Sequence, residues 1–223
     1  MRFRRDQGRV QDRFGLLLVL LVASFLTLGF ASEQWARAVA GLLQVAAVLV
    51  AFAATRIRLD HRWLPLLGGI GVVIVVLETT EGDLSSGLGA IGAAVLLGVI
   101  LVAVLDRVLR HRYVSLQTIY GALCAYFLIG LTFSSIYAAM NALGPEPVFG
   151  EPVSESVYSY FSFVTLTTVG FGDYTAQTDL ARRFVAIEAI IGQVFIATTL
   201  ARLVSLYRSS SPPAETPPPA DGH

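Results

Sequence analysis

The sequence predicts an all-α membrane protein with six transmembrane helices and a short re-entrant helix and loop between the last two. Three observations lead to this fold class. Hydrophobic residues make up 55% of the 223 residues and charged residues only 14%, whereas an ordinary soluble domain has about 25% charged residues. The mean hydropathy is +0.67, and the apolar residues fall in long runs. This composition excludes a soluble globular enzyme.

Six long apolar runs are separated by polar links, and each is expected to cross the bilayer once. They cover residues 14–30, 38–54, 63–77, 87–105, 115–139 and 180–207. A further segment, 157–169, has only 13 residues, against the roughly 20 that a crossing requires, so it is interpreted as re-entrant. Seven crossings, with that segment through the membrane and the C-terminal tail outside, is the less favoured alternative.

The distribution of arginine predicts the orientation. All 16 basic residues are arginines, and with the N-terminus inside, thirteen lie on the inner side and three on the outer side. Basic residues are retained in the cytoplasm, so both termini are expected there, with the chain in the plasma (cell inner) membrane. The inner set is Arg2, Arg4, Arg5, Arg9, Arg13, Arg56, Arg58, Arg62, Arg107, Arg110, Arg112, Arg202 and Arg208, and the outer set is Arg37, Arg182 and Arg183.

The two ends of the chain are polar. The Arg-rich start, the first apolar run and residues 31–33 also fit a cleavable signal peptide, although a retained first helix is the preferred interpretation. Residues 208–223 are rich in serine and proline and are expected to form a disordered cytoplasmic tail.

The loop after the re-entrant segment contains the candidate ion-binding residues. Gly170 and Gly172 alternate there with larger residues. Glycine adopts positive φ without steric cost, so alternating left- and right-handed backbone can direct successive carbonyl oxygens at one axis. Val169 and Phe171 would then point away from that axis and pack against the short helix. A ladder of carbonyl oxygens can replace the hydration shell of a monovalent cation.

Residues 167–173 read Thr-Thr-Val-Gly-Phe-Gly-Asp and lie between a re-entrant helix and a long helix. This stretch resembles the selectivity filter of the potassium-channel pore family, and the resemblance covers about residues 114–207. A glycine-containing turn in an extracellular loop is the alternative, but it does not explain the flanking helices. The resemblance implies that K⁺ binds at the Thr168 hydroxyl and at the carbonyls of Thr168, Val169, Gly170 and Phe171, with Gly172 completing the ladder.

The same resemblance implies the assembly and the support of this filter. One chain supplies one loop, so a fourfold ring of carbonyls implies a homotetramer. Thr167 and Asp173 flank the filter, with Asp173 at the outer mouth. Some family members pair this aspartate with a carboxylate at the position of Val164, so Asp173 needs another partner here, and Tyr160 is the nearest candidate by pattern.

The last apolar run contains candidate gating residues. Gly192 follows Gly172 by twenty residues, which matches the hinge position of the family, although close helix packing through a small residue is an alternative. Four residues share one face of this helix by their spacing. Alignment on the hinge implies that two of them line the cavity and two form an apolar constriction that gates by dewetting: Gln193 and Ile196, then Leu200 and Val204.

An acidic residue within the last run is a functional candidate by default. Glu188 lies five positions before Gln193, which places it about 140° away on the helix. We therefore expect Glu188 to be a buried acid, hydrogen-bonded behind the filter, rather than to face the ion path. If its protonation matters, the current depends on pH, and Glu188→Gln removes that dependence.

The first half of the chain, residues 1–113, is predicted to contain a cytoplasmic N-terminus and a four-helix transmembrane region. A voltage sensor requires arginines every third residue within the fourth helix, whereas residues 87–105 carry no charge. Gating by such a sensor is therefore not expected. The four helices are interpreted as a bundle that supports the pore domain, residues 114–207, or as a sensor for another signal.

The sequence thus favours a K⁺-selective channel that conducts passively across the lipid bilayer. A nonselective cation channel, a K⁺ transporter and a non-conducting accessory subunit are the alternatives. No cofactor is expected besides the transported K⁺. No nucleic-acid partner is expected, because the chain has no basic block, and no catalytic group supports an enzyme. The single Cys124 cannot form an intrachain disulfide or a cysteine-based metal site.

Overall fold

The computed structural model describes residues 14–29, 34–55, 63–80, 82–110 and 116–209, and this part of the chain contains seven α-helices. In order they are α1 (Phe14–Leu28), α2 (Gln34–Thr55), α3 (Trp63–Thr79), α4 (Asp83–Arg110), α5 (Leu116–Leu143), α6 (Glu155–Leu166) and α7 (Asp179–Ser209). The Arg-rich start, the Arg56 to Arg62 link and nearly all of the Pro-rich tail lie outside the described residues.

Helix length and composition decide which of these elements can span a bilayer. Three described helices are long and apolar enough to cross, over Asp83–Leu109, Leu116–Leu143 and Asp179–Arg202. The apolar parts of the first three helices are shorter, at Phe14–Leu28, Ala38–Phe52 and Gly68–Glu78. The described residues are therefore those of an all-α membrane protein with three span-capable helices, and six crossings remain a prediction.

Small residues allow the helices of the first half to pack closely. A Cβ atom added at Gly41 of α2 would lie 2.7 Å from a methyl carbon of Val75 on α3, and one added at Gly71 of α3 would lie 2.8 Å from a methyl carbon of Val45 on α2. Because lipid is as apolar as a helix surface, helices in a membrane associate largely through such close packing. The two glycines therefore hold α2 and α3 together.

The first helix packs against the second half of the chain. The Cys124 thiol on α5 donates a hydrogen bond to the Phe14 carbonyl oxygen at the start of α1 (3.4 Å). Leu17 and Leu21 of α1 are fully buried in one apolar cluster with Leu128 and Leu131 of α5. The first half of the chain thus packs directly against α5, and α5 also packs against the short helix α6.

A second apolar cluster lies between α5, α6 and the start of α7. It includes Phe133 and Tyr137 of α5, Phe161 of α6 and Ala181 of α7. Phe149, in the α5–α6 connection, stacks on Tyr158 at 5.8 Å and meets Phe161 edge-on at 4.9 Å between ring centroids. This cluster holds α6 against the long helices and so positions the loop that follows α6.

Candidate functional site

The short helix α6 is the platform of the candidate site. Ser154 stands at its N-cap with extended backbone (φ −69°, ψ 151°) and makes no side-chain capping hydrogen bond. Its hydroxyl oxygen instead lies 2.8 Å from that of Ser156. The helix has 12 residues, well below the roughly 20 that a crossing requires.

The side of α6 that faces α5 and α1 is held by aromatic rings. The Phe163 ring sits on Gly130 of α5, where an added Cβ would lie 2.8 Å from two ring carbons. The Phe163 centroid is 4.5 Å from that of Phe25 on α1 and 5.2 Å from that of Phe127 on α5. The contact between α1 and α6 was not predicted, because no sequence pattern links Phe25 to Phe163.

The backbone after α6 alternates in hand. Thr168, Gly170 and Gly172 have positive φ values of 58°, 53° and 78°, whereas Val169 and Phe171 between them do not. Thr168 was not predicted to adopt this conformation, because a β-branched residue is an outlier there. Strain of this kind costs about 1–3 kcal/mol and is concentrated at functional sites.

Hydrogen bonds tie the first residues of the loop to α6. The amide N–H groups of Val169 and Gly170 both donate to the Val164 carbonyl oxygen (3.1 and 3.4 Å), and that of Thr168 donates to Thr165 (2.9 Å). The Thr167 hydroxyl donates to the Phe163 carbonyl oxygen (2.7 Å). These bonds fix the first part of the loop backbone, from Thr167 to Gly170, against the end of α6.

The side chains of Val169 and Phe171 are largely exposed within one chain, so their expected packing against α6 stays a prediction. Val169 is 54% exposed and Phe171 is 69% exposed. The sequence argument gave the direction in which these side chains leave the backbone, but it could not say which surface covers them. Within a single chain, more than half of each side chain stays uncovered.

Asp173 has the partner that the sequence pattern suggested. The Tyr160 hydroxyl donates a hydrogen bond to Asp173 Oδ2 (2.7 Å), and the Tyr174 amide donates to Oδ1 (3.0 Å). The hydrogen bond to Asp173 raises the pKa of the Tyr160 phenol above its ordinary value, with the charge of the carboxylate acting in the same direction. Tyr160 therefore remains a donor at neutral pH and ties the loop to α6.

Glu188 of α7 is fully buried, in contact with α5 and α6. The Tyr137 hydroxyl of α5 donates to its Oε2 atom (2.7 Å), and the Ser162 hydroxyl of α6 is in hydrogen-bond contact with Oε1. The same Ser162 oxygen lies 2.7 Å from the Gly130 carbonyl oxygen of α5. Tyr137 and Ser162 were not singled out from the sequence, because they lie 51 and 26 positions away from Glu188.

One face of α7 is left open by the rest of the chain. Gln193 is exposed, and the apolar residues after it on this face are 44%, 60% and 52% exposed, in the order Ile196, Leu200 and Val204. The Gln193 side-chain amide donates to the Thr168 hydroxyl (3.3 Å). This bond, which was not predicted, joins the open face of α7 to the first residue of the alternating backbone.

Gly192 lies within an unbroken α7 and is buried. A Cβ added there would lie 2.6 Å from the Leu166 carbonyl oxygen and 2.9 Å from a Leu166 methyl carbon. Close packing of α7 on the end of α6 therefore requires glycine at this position. The hinge role stays a prediction.

We expect Gly192→Ala to destabilise the protein. The added methyl group must displace the backbone at the end of α6, and such overpacking costs about 1–3 kcal/mol. Gly98→Ala on α4 is the matched control, because its Cβ meets nothing within 4 Å and alanine favours a helix interior by up to about 1 kcal/mol. Unfolding midpoints in detergent measure both. Equal stability of the two variants would contradict close packing.

Sequence comparison with known proteins identifies ion channels as relatives of this part of the chain. A family model described as an ion channel matches residues 121–209. The chain is 36% identical over 88 residues to "Two pore potassium channel c" of Oryza sativa subsp. japonica, covering 37% of this chain and 17% of the relative. It is 39% identical over 79 residues to "Potassium channel subfamily K member 16" of Homo sapiens, covering 34% and 26%. No solved structure gives a significant match.

Residues 121–209 are therefore similar to ion-channel domains of the potassium-channel pore family. This is a family of ion-transport proteins of the membrane, not of enzymes. The aligned segments span about a quarter or less of the length of the two relatives. The match covers α6, the alternating loop and α7, together with most of α5.

Proposed function

We propose that this chain forms a K⁺-selective channel that conducts passively across the cell inner membrane. The observation that carries the proposal is the alternation of left-handed residues at Thr168, Gly170 and Gly172 in a loop whose amides bond to α6. Carbonyl oxygens stacked in this way substitute for the water around a dehydrated K⁺. Thr168, Val169, Gly170 and Phe171 supply the ion ligands, and Gly172 continues the ladder.

The conducting assembly is a homotetramer. Each chain contains one filter sequence, and a ring that surrounds an ion requires four. The exposed side chains of Val169 and Phe171 and the open face of α7 are then covered by, or directed at, the other copies. The rice relative is named for two pores, whereas four single loops would complete the ring here.

Conduction follows from binding sites in series. An ion is held by carbonyl dipoles rather than by a fixed charge, and repulsion between neighbouring ions permits rapid exit. Asp173, held by Tyr160, forms a ring of four acids at the outer mouth and concentrates cations there. Selectivity does not depend on the side chain of Phe171, since the ligands are backbone atoms.

The inner half of the path is lined by α7. Gln193 and Ile196 face a water-filled cavity below the filter, and Leu200 and Val204 form a constriction that closes by dewetting. We place both termini in the cytoplasm, with six crossings in total and Pro-rich residues 208–223 as a tail. The uncharged centre of α4 gives no Arg-repeat voltage sensor.

A bilayer recording of purified protein under opposing K⁺ and Na⁺ gradients tests the proposal. The reversal potential should lie near the K⁺ equilibrium value, and Gly170→Asp should remove the current. A reversal near zero would indicate a nonselective pore. The absence of saturable, barium-sensitive flux across conditions would indicate an accessory subunit.

A further inference from the structure

We propose that Glu188 is a neutral carboxylic acid that donates its proton to Ser162, and that this proton completes the link that positions α6 behind the filter. The inference deepens the proposed function and rests on it for its meaning. It depends on three oxygen–oxygen contacts between buried groups of α5, α6 and α7. Glu188 is a positioning residue in this account, because it does not touch the ion path.

The proton count in this cluster is decisive. The three contacts are Tyr137 with Glu188 Oε2, Glu188 Oε1 with Ser162, and Ser162 with the Gly130 carbonyl oxygen. The oxygen atoms of these contacts are 2.5 to 2.7 Å apart, and oxygen atoms this close need a hydrogen between them. Each hydroxyl has one proton and the backbone carbonyl has none. Two hydroxyls therefore supply two of the three protons, and only the carboxyl of Glu188 can supply the third.

The direction of each bond then follows. Tyr137 donates to Glu188 Oε2, the Glu188 carboxyl donates from Oε1 to Ser162, and Ser162 donates to Gly130. If Glu188 were ionised, the Ser162 proton could satisfy only one of its two contacts. The Ser162 oxygen would then face either the carboxylate or the Gly130 carbonyl with no hydrogen between them, which is repulsive at this distance.

The surroundings of Glu188 agree with a neutral group. Glu188, Ser162 and Tyr137 are all fully buried. Among the described residues, the groups that bond to the carboxyl are Tyr137 and Ser162, and no arginine forms an ion pair with it. The other nearby titratable group is Tyr126 of α5, whose hydroxyl donates to the Leu166 carbonyl oxygen (3.1 Å). A buried carboxylate without a cation is strongly disfavoured.

The protonated carboxyl of Glu188 affects the filter through the position of α6. Ser162 lies on α6, the same short helix whose Val164 and Thr165 carbonyls hold the filter amides. The Glu188 proton therefore connects α7 and α5 to the element that sets the filter backbone. No sequence motif shows this connection, since its three side chains come from three helices.

Infrared spectra of the purified protein at neutral pH, compared between the wild type and each variant, test the protonation state of Glu188 directly. The wild-type protein should show the carbonyl band of a protonated carboxylic acid, and Glu188→Gln should remove that band. Glu78→Gln, which changes an acid at the end of α3, is the control and should retain the Glu188 band. A spectrum without such a band, or one in which only Glu78→Gln removes it, would overturn the proposal.

Thermal unfolding adds a second measurement. It separates the effect of losing the hydrogen bond donated to Ser162 from the effect of losing the volume of the side chain. Glutamine can donate an N–H to Ser162 and accept from Tyr137, so Glu188→Gln should keep the unfolding midpoint and K⁺ flux near wild type. Glu188→Ala should lower the midpoint by about 5 °C or more, because it leaves buried groups unpaired. If glutamine is as damaging as alanine, the carboxylate is required and the neutral acid is wrong. The infrared result is independent of conduction, so a failed channel assay would not obscure it.

Discussion

Replacing Gly170 with alanine should reduce K⁺ flux more than about 100-fold while the protein remains folded. Gly170 has φ +53°, and an L-residue in this conformation costs about 1–2 kcal/mol. The penalty repeats in each of the four chains of the proposed ring. At about 1.4 kcal/mol for each tenfold change in rate, four such penalties exceed a 100-fold loss.

We expect the loss of K⁺ flux to result from the rotation of one carbonyl group away from the ion path. No atom lies within 4 Å of a Cβ added at Gly170, so within one chain the substitution acts through the backbone and not through a clash. If alanine relaxes to negative φ, the adjoining peptide planes rotate and a carbonyl oxygen leaves the axis. K⁺ flux from liposomes measures the loss, and an unfolding midpoint measures whether the fold persists.

Gly150→Ala is the matched control. Gly150 also has positive φ (+81°), and its added Cβ would lie 3.2 Å from the flexible side chain of Gln177. This variant carries the same left-handed penalty outside the filter, so it should lose some stability and keep its flux. Equal loss of flux in the two variants would mean that strain anywhere in this region blocks conduction, and the filter assignment of Gly170 would fail.

Replacing Phe163 with alanine should lower the free energy of unfolding by about 3 kcal/mol per chain, the lower end for aromatic-to-alanine changes because the side chain is half-buried. The ring contacts Phe25 of α1 and Phe127 of α5 and rests on Gly130. Its removal leaves a cavity where three elements meet. Chemical or thermal unfolding in detergent measures the effect, and Phe163→Leu should fall between alanine and wild type.

A double-mutant cycle of Phe25→Ala and Phe163→Ala tests whether α1 supports the re-entrant helix. Aromatic pairs at this distance couple by about 0.5–1.5 kcal/mol, so the two losses should not add. Additive losses would show that α1 and α6 are not in contact in the assembled protein. A coupling of the expected size would favour a supporting role for the first half, which the sequence left open between support and sensing.

Local properties of the chain could be predicted from its sequence. The apolar composition identified an all-α membrane protein, because transfer of apolar runs into lipid depends on composition alone. The alternation of glycine with larger residues predicted left-handed backbone at Gly170 and Gly172, since only glycine adopts positive φ without cost. The structure places both glycines in that conformation. Thr168 also has positive φ, at 58°, and the local sequence did not predict this because threonine disfavours that conformation.

The partners of each side chain were decided by the tertiary structure. Glu188 was expected to be buried from its angle on the helix, but its contacts with Tyr137 and Ser162 depend on how α5, α6 and α7 pack. The contact of Phe25 with Phe163 arises in the same way. Lipid is as apolar as a helix interface, so the hydrophobic pattern of a membrane helix does not mark the face that meets its neighbour. Shape and polar pairing select that face, and both exist only once the helices are assembled.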